Sequence, residues 1–104
     1  MELTNVTNHC GVTRALEVIG GKWTMLIVRD LIERPRRFGE LESSLGGISP
    51  RTLALRLKEL EHDGVLMRDC SGGSAHPVYR LTEKGQSLSS ILDQMRAWGE
   101  QANA

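Results

Sequence analysis

The chain contains no run of about 18 apolar residues, so no helix that crosses a membrane is expected. Its opening MELTNVTNH lacks the basic and apolar regions of a secretory signal, which points to a cytoplasmic protein with no membrane partner. Aromatic residues are scarce, four among 104, so the core must be aliphatic and an aromatic-lined ligand pocket is not expected. There are only two cysteines, Cys10 and Cys70, with no Cys-x-x-Cys spacing, which excludes a disulfide scaffold and a zinc-finger framework. His9, His62 and His76 are dispersed, and the set His9, Cys10, Cys70 and His76 follows no metal-ligand pattern. Glycine-rich phosphate loops and nucleophile elbows are also missing. No enzyme, catalytic residue, metal or cofactor is therefore expected.

Net charge is zero, but it is unevenly spread. Between Lys22 and Lys58, eight bases face four acids, while the remaining segments carry five bases and nine acids. A basic middle with acidic flanks suits a chain that meets a polyanion through one face and repels it elsewhere.

Along the chain, residues 1–9 are polar and unpatterned and read as a flexible arm, leaving residues 10–104 as one domain. Val12, Ala15, Leu16 and Ile19 recur at helical spacing and mark one face of a first helix, which Gly20-Gly21 ends. Lys22 to Glu33 is apolar almost all round, as a central buried helix would be, and Pro35 stops it. A short third helix is expected from Phe38 to Leu45. Ser49-Pro50 is the clearest helix start: the serine can cap orphan backbone donors, and proline at the first helical position loses nothing by lacking an N–H. That fourth helix should run to Asp63, where Gly64 supplies a left-handed stop. Val65 to Asp69 and Val78 to Leu81 read as two strands around the loop Cys70 to Pro77. Thr82 can cap one last helix reaching about Gln101.

Two helices joined by a glycine-containing turn and followed by a hairpin form the order of a winged helix-turn-helix, mainly α with a small β-hairpin wing. Helical spacing puts Leu53, Leu57 and Leu60 on one side of the fourth helix, and Arg51, Leu55 and Lys58 on the other. Ser49, Arg51 and Thr52 then stand at the end that meets base edges, with Lys58 outward and Arg56 on a flank within reach of a phosphate. The same charges would also suit an ordinary solvated helix. Arg36-Arg37 could clamp a DNA backbone or simply solubilise a turn. In the wing only His76 and Arg80 could touch DNA. The last helix carries Ile91, Leu92, Met95 and Trp98, more apolar surface than so small a body needs. Together with Val12 and Leu16 of the first helix, these residues are the expected homodimer interface.

These readings converge on familiar residues: Cys10, Arg14-Ala-Leu16, Ile19-Gly-Gly-Lys-Trp23, Arg29-Asp-Leu31, Arg37-Phe-Gly-Glu-Leu41, Ile48-Ser-Pro-Arg-Thr-Leu53, Arg56-Leu-Lys-Glu-Leu-Glu61, Asp63-Gly64, Tyr79-Arg-Leu-Thr-Glu-Lys-Gly85 and Trp98-Gly-Glu100. In this order they resemble the HxlR-type transcriptional regulators, related in fold to the MarR group. The resemblance implies a dimer built by the first and last helices, with a fourth helix that reads an inverted repeat in double-stranded DNA. It places contacts on Ser49, Arg51, Thr52, Leu55 and Arg56. Leu55 stands where a polar residue is often found, and it could pack against a thymine methyl. Family members that sense oxidants or electrophiles use a cysteine at the position of Cys10, although a free cysteine is also a common small core residue. The competing reading is a winged-helix protein-interaction module without DNA binding, which zero net charge would favour. Operator sequence, regulated genes and any small-molecule effector are not legible.

Overall fold

The computed structural model describes residues 10–72 and 76–102. The expected arm at 1–9 and the middle of the wing loop at 73–75 lie outside the described residues.

The centre of the molecule is the helix that is apolar nearly all round. Helix α1 spans Gly11–Ile19 and α2 Lys22–Glu33, the latter burying Met25, Ile27, Val28 and Leu31. A two-residue strand β1, Arg36–Arg37, leads into α3, Phe38–Ser44, and then α4, Pro50–His62, lays Leu53, Leu57 and Leu60 against the same core. Strands β2, Leu66–Asp69, and β3, Val78–Leu81, pair antiparallel, with Leu66 opposite Leu81 and Arg68 opposite Tyr79. Helix α5, Glu83–Gln86, and helix α6, Ser89–Ala102, complete the chain.

The start of α4 follows its local chemistry. Ser49 is extended, and its hydroxyl oxygen accepts the Thr52 amide at 3.1 Å, with Pro50 as the first helical residue. Such a cap contributes about 1 kcal/mol and fixes where the helix begins. At the other end, Gly64 adopts φ 76°, a left-handed conformation that side-chain-bearing residues rarely hold.

Two features depart from the sequence expectation. The sheet has three strands in the order β1-β3-β2, because Arg36 and Arg37 pair with Tyr79 and Val78. The expected single last helix is also divided. Thr82 caps α5 through the Gly85 amide, but Ser87 donates its hydroxyl to the Lys84 carbonyl, and the chain turns at Ser87–Leu88 before α6 begins. Gly85 presses flat against the Val65 carbonyl at this corner, which sets the exit of α6 from the body.

Candidate nucleic-acid interface

With its leucines committed to the core, α4 turns Arg51, Leu55 and Lys58 to solvent. Leu55 is 50% exposed, a large apolar side chain on an otherwise polar face. Arg51 and Lys58 form no hydrogen bond or ion pair among the described residues, so both cations are available to a partner. Arg56 lies on the flank and is held by Glu59 at 2.8 Å, one turn along the same helix. This pair is solvated and worth about 0–1 kcal/mol, so Arg56 can leave it for a phosphate at little cost. Ser49 and Thr52 are joined through their hydroxyls at 2.9 Å beside the N-terminus of α4, where backbone N–H groups and the helix dipole favour an anion.

The two arginines before α3 separate. Arg37 is exposed, but Arg36 is only 8% exposed and is turned back onto its own chain. Its Nε donates to the Asp30 carbonyl at 3.1 Å, and its terminal nitrogen pairs with Glu33. Of the two arginines expected to clamp a DNA backbone, only Arg37 is left at the surface, because adjacent strand residues point to opposite faces and pairing with Tyr79 puts Arg36 inside. Glu40 accepts the Arg37 backbone amide at 2.8 Å, and this bond, followed by the nearby arginines, holds its carboxyl below the usual carboxylate range. Arg37 also shares a cleft of about 560 Å³ with His76 and Tyr79, so β1 and the wing are brought together.

In the wing, Arg80 is tied to Asp69 at 3.1 Å. Asp69 additionally accepts the Ser71 amide at 2.9 Å. Hydrogen bonds from Ser71, and secondarily Arg80, lower the Asp69 pKa. The carboxylate thus pins both the hairpin's last turn and its arginine. Arg68 and Tyr79, which the sequence reading did not single out, face α4 on the inner side of the hairpin. Their signal lay in the strand register, which cannot be read from either strand alone.

Helices α1 and α6 expose Val12 (68%), Leu16 (59%), Ile91, Met95 and Trp98 (71%). Leu92, expected with them, is half-buried and packs against the core. Cys10 sits at the N-cap of α1, exposed and unbonded to Cys70. The backbone N–H groups of Thr13 and then Val12, at the open start of α1, lower the pKa of its thiol. Among the described residues, no group of three or more His, Cys, Asp or Glu side chains is placed to hold a metal ion. No helix among them is long and apolar enough to cross a membrane.

Comparison with known proteins agrees with this geometry. Residues 18–104 match the model of the HxlR-like helix-turn-helix family. The HTH-type transcriptional regulator YodB of Bacillus subtilis (strain 168) is 36% identical over 88 residues, 84% of this chain and 79% of YodB. Its quinone-bound crystal structure superposes with a TM-score of 0.76. The redox regulator HypR in its reduced form is 38% identical with a TM-score of 0.84, over 90% of this chain and 94% of HypR. PA1607, described as a transcription factor, is 45% identical with a TM-score of 0.84; the alignment covers 89% of this chain and 65% of PA1607. The chain has a winged helix-turn-helix fold and belongs to the HxlR-like helix-turn-helix family of transcriptional regulators.

Proposed function

We propose that two copies of this chain form a cytoplasmic, non-enzymatic regulator that binds an inverted repeat in duplex DNA, with one α4 in each major groove. The observation that carries this reading is the outward face of α4: two cations without partners among the described residues and an exposed leucine, on a helix whose start is fixed by the Ser49 cap. Arg51 and Thr52 stand for base edges, Leu55 for a thymine methyl, and Arg56, Lys58, Arg37, His76 and Arg80 for phosphates. Selection from a random duplex pool tests it. Recovery of an inverted repeat supports the reading, whereas recovery of no duplex favours the protein-interaction module that zero net charge would suit.

The dimer rests on the exposed apolar face of α1 and α6. Burying one exposed tryptophan removes about 150–250 Å² from water, so Trp98 is the expected anchor. Wild type should sediment at twice the chain mass, and Trp98→Glu at the chain mass. A wild-type monomer at micromolar concentration would contradict the dimer.

Cys10 supplies the switch. Two family members have been characterised as a redox regulator and as a quinone-bound protein, and here a thiol with a lowered pKa opens one of the interface helices. A lowered pKa means that thiolate persists to lower pH. The rate of Cys10 alkylation by iodoacetamide should therefore reach half its maximum at a lower pH than that of a free cysteine measured alongside it. Diamide should release wild type from duplex and leave Cys10→Ser bound; equal release of both would remove Cys10 from the mechanism.

A further inference from the structure

Beside the outward face of α4 runs a second concave surface of about 330 Å³, lined by Ala54, Leu57, Lys58 and Glu61 of the helix and by Arg68 and Tyr79 of the hairpin. The pleat explains who faces it. Leu66 and Leu81 are opposite one another and buried, so Arg68 and Tyr79, the pair two residues nearer the loop, project to the same side. Lys58 meets them from the edge of α4 that adjoins Arg51 and Leu55.

The charges in this groove are held loosely. Arg68 lies 3.6 Å from Glu61, and both side chains are substantially exposed, so their attraction is weak and readily exchanged for a stronger anion. The Tyr79 hydroxyl forms no hydrogen bond among the described residues. Partial burial raises its pKa, so it remains an O–H donor at neutral pH. The groove thus offers two cations and one neutral donor, opposed by one acid, next to the face assigned to base edges.

We propose that this groove seats a backbone phosphate of the duplex. Lys58 and Arg68 neutralise it, Tyr79 donates to it, and Glu61 holds Arg68 in the free protein and yields it when the phosphate enters. The proposal rests on the DNA-binding reading and adds Arg68, Tyr79 and Glu61 to it. It makes the wing's inner face part of the contact.

The test is fluorescence anisotropy with a duplex recovered by selection, read from 50 to 200 mM salt for wild type, R51A, R68A, Y79F and E61Q. R68A should weaken binding about tenfold at low salt and flatten the slope of log K against log salt by about 0.9, the contribution of one phosphate contact. Y79F should weaken binding severalfold with the slope unchanged, since no charge is lost. E61Q should tighten binding. Thermal melting checks that each variant is folded, and R68Q, which retains most of the side chain, replaces R68A if that protein melts early. Loss of binding in R51A with R68A or R68Q and Y79F equal to wild type would overturn the groove and leave the DNA reading standing. Failure of wild type to bind any duplex would overturn both.

Discussion

Removing Arg51 and Arg56 together is expected to weaken operator binding by two to three orders of magnitude at physiological salt while leaving the fold intact. Each arginine contact to a base edge or phosphate is worth about 1–3 kcal/mol, and the two sites lie far enough apart on α4 for the losses to accumulate. The salt dependence supplies a second signature. Arg56 is the phosphate contact of the two, so its loss should lower the slope of log K against log salt by about 0.9, while loss of Arg51 relaxes base specificity. Stability should hardly change, because Arg51 has no partner among the described residues and the Arg56–Glu59 pair is solvated. A double variant that melts like wild type and binds like wild type would exclude α4 as the reader.

The largest loss of stability is expected at a glycine far from that face. A Cβ added to Gly85 would lie 2.1 Å from the Val65 carbonyl oxygen and 2.9 Å from a methyl of Leu81. Neither can retreat easily. The Val65 carbonyl accepts both the Thr82 amide at 3.0 Å and the Thr82 hydroxyl at 3.1 Å, and Leu81 is buried in the core. Gly85→Ala must therefore push α5 off the hairpin, at a cost of about 3 kcal/mol or more, the upper end for overpacking. For a domain of this size that lowers the melting temperature by roughly 15 °C. Gly39 provides the contrast: nothing lies within 4 Å of its added Cβ, and it sits inside α3. Gly39→Ala should melt at or above the wild-type temperature, since alanine is favoured over glycine in a helix by up to about 1 kcal/mol. Equal melting of the two variants would show that the corner at Gly85 is not packed as described.

Local chemistry was readable from the chain and longer-range pairing was not. The bounds of α1 and α2 follow from apolar spacing closed by Gly20 and Pro35, and the start of α4 follows from Ser49 and Pro50. The outward placement of Arg51, Leu55 and Lys58 came from the same spacing, because an amphipathic helix with three buried leucines has only one way to face the core. The strand β1 was not legible, since two residues carry no period and only pairing with β3 makes them a strand. That pairing also decides between two adjacent arginines, turning Arg36 inward and leaving Arg37 outside. The break at Ser87–Leu88 was hidden because Thr82 caps a helix equally well whether it runs one turn or five. Leu92 belongs to the apolar stripe of the last helix by spacing, but it is half-buried against the core while Met95 and Trp98 stay exposed.

The central claim is that α4 and the wing, and no other face, meet DNA. Amide chemical-shift mapping of the isotopically labelled protein, titrated with a selected duplex under reducing conditions, tests it most directly. The account predicts the largest shifts at Ser49 to Lys58, at Arg37 and along Arg68 to Arg80, with Val12, Leu16, Met95 and Trp98 unmoved. Shifts concentrated on α1 and α6, or no shifts at all on adding duplex, would contradict it.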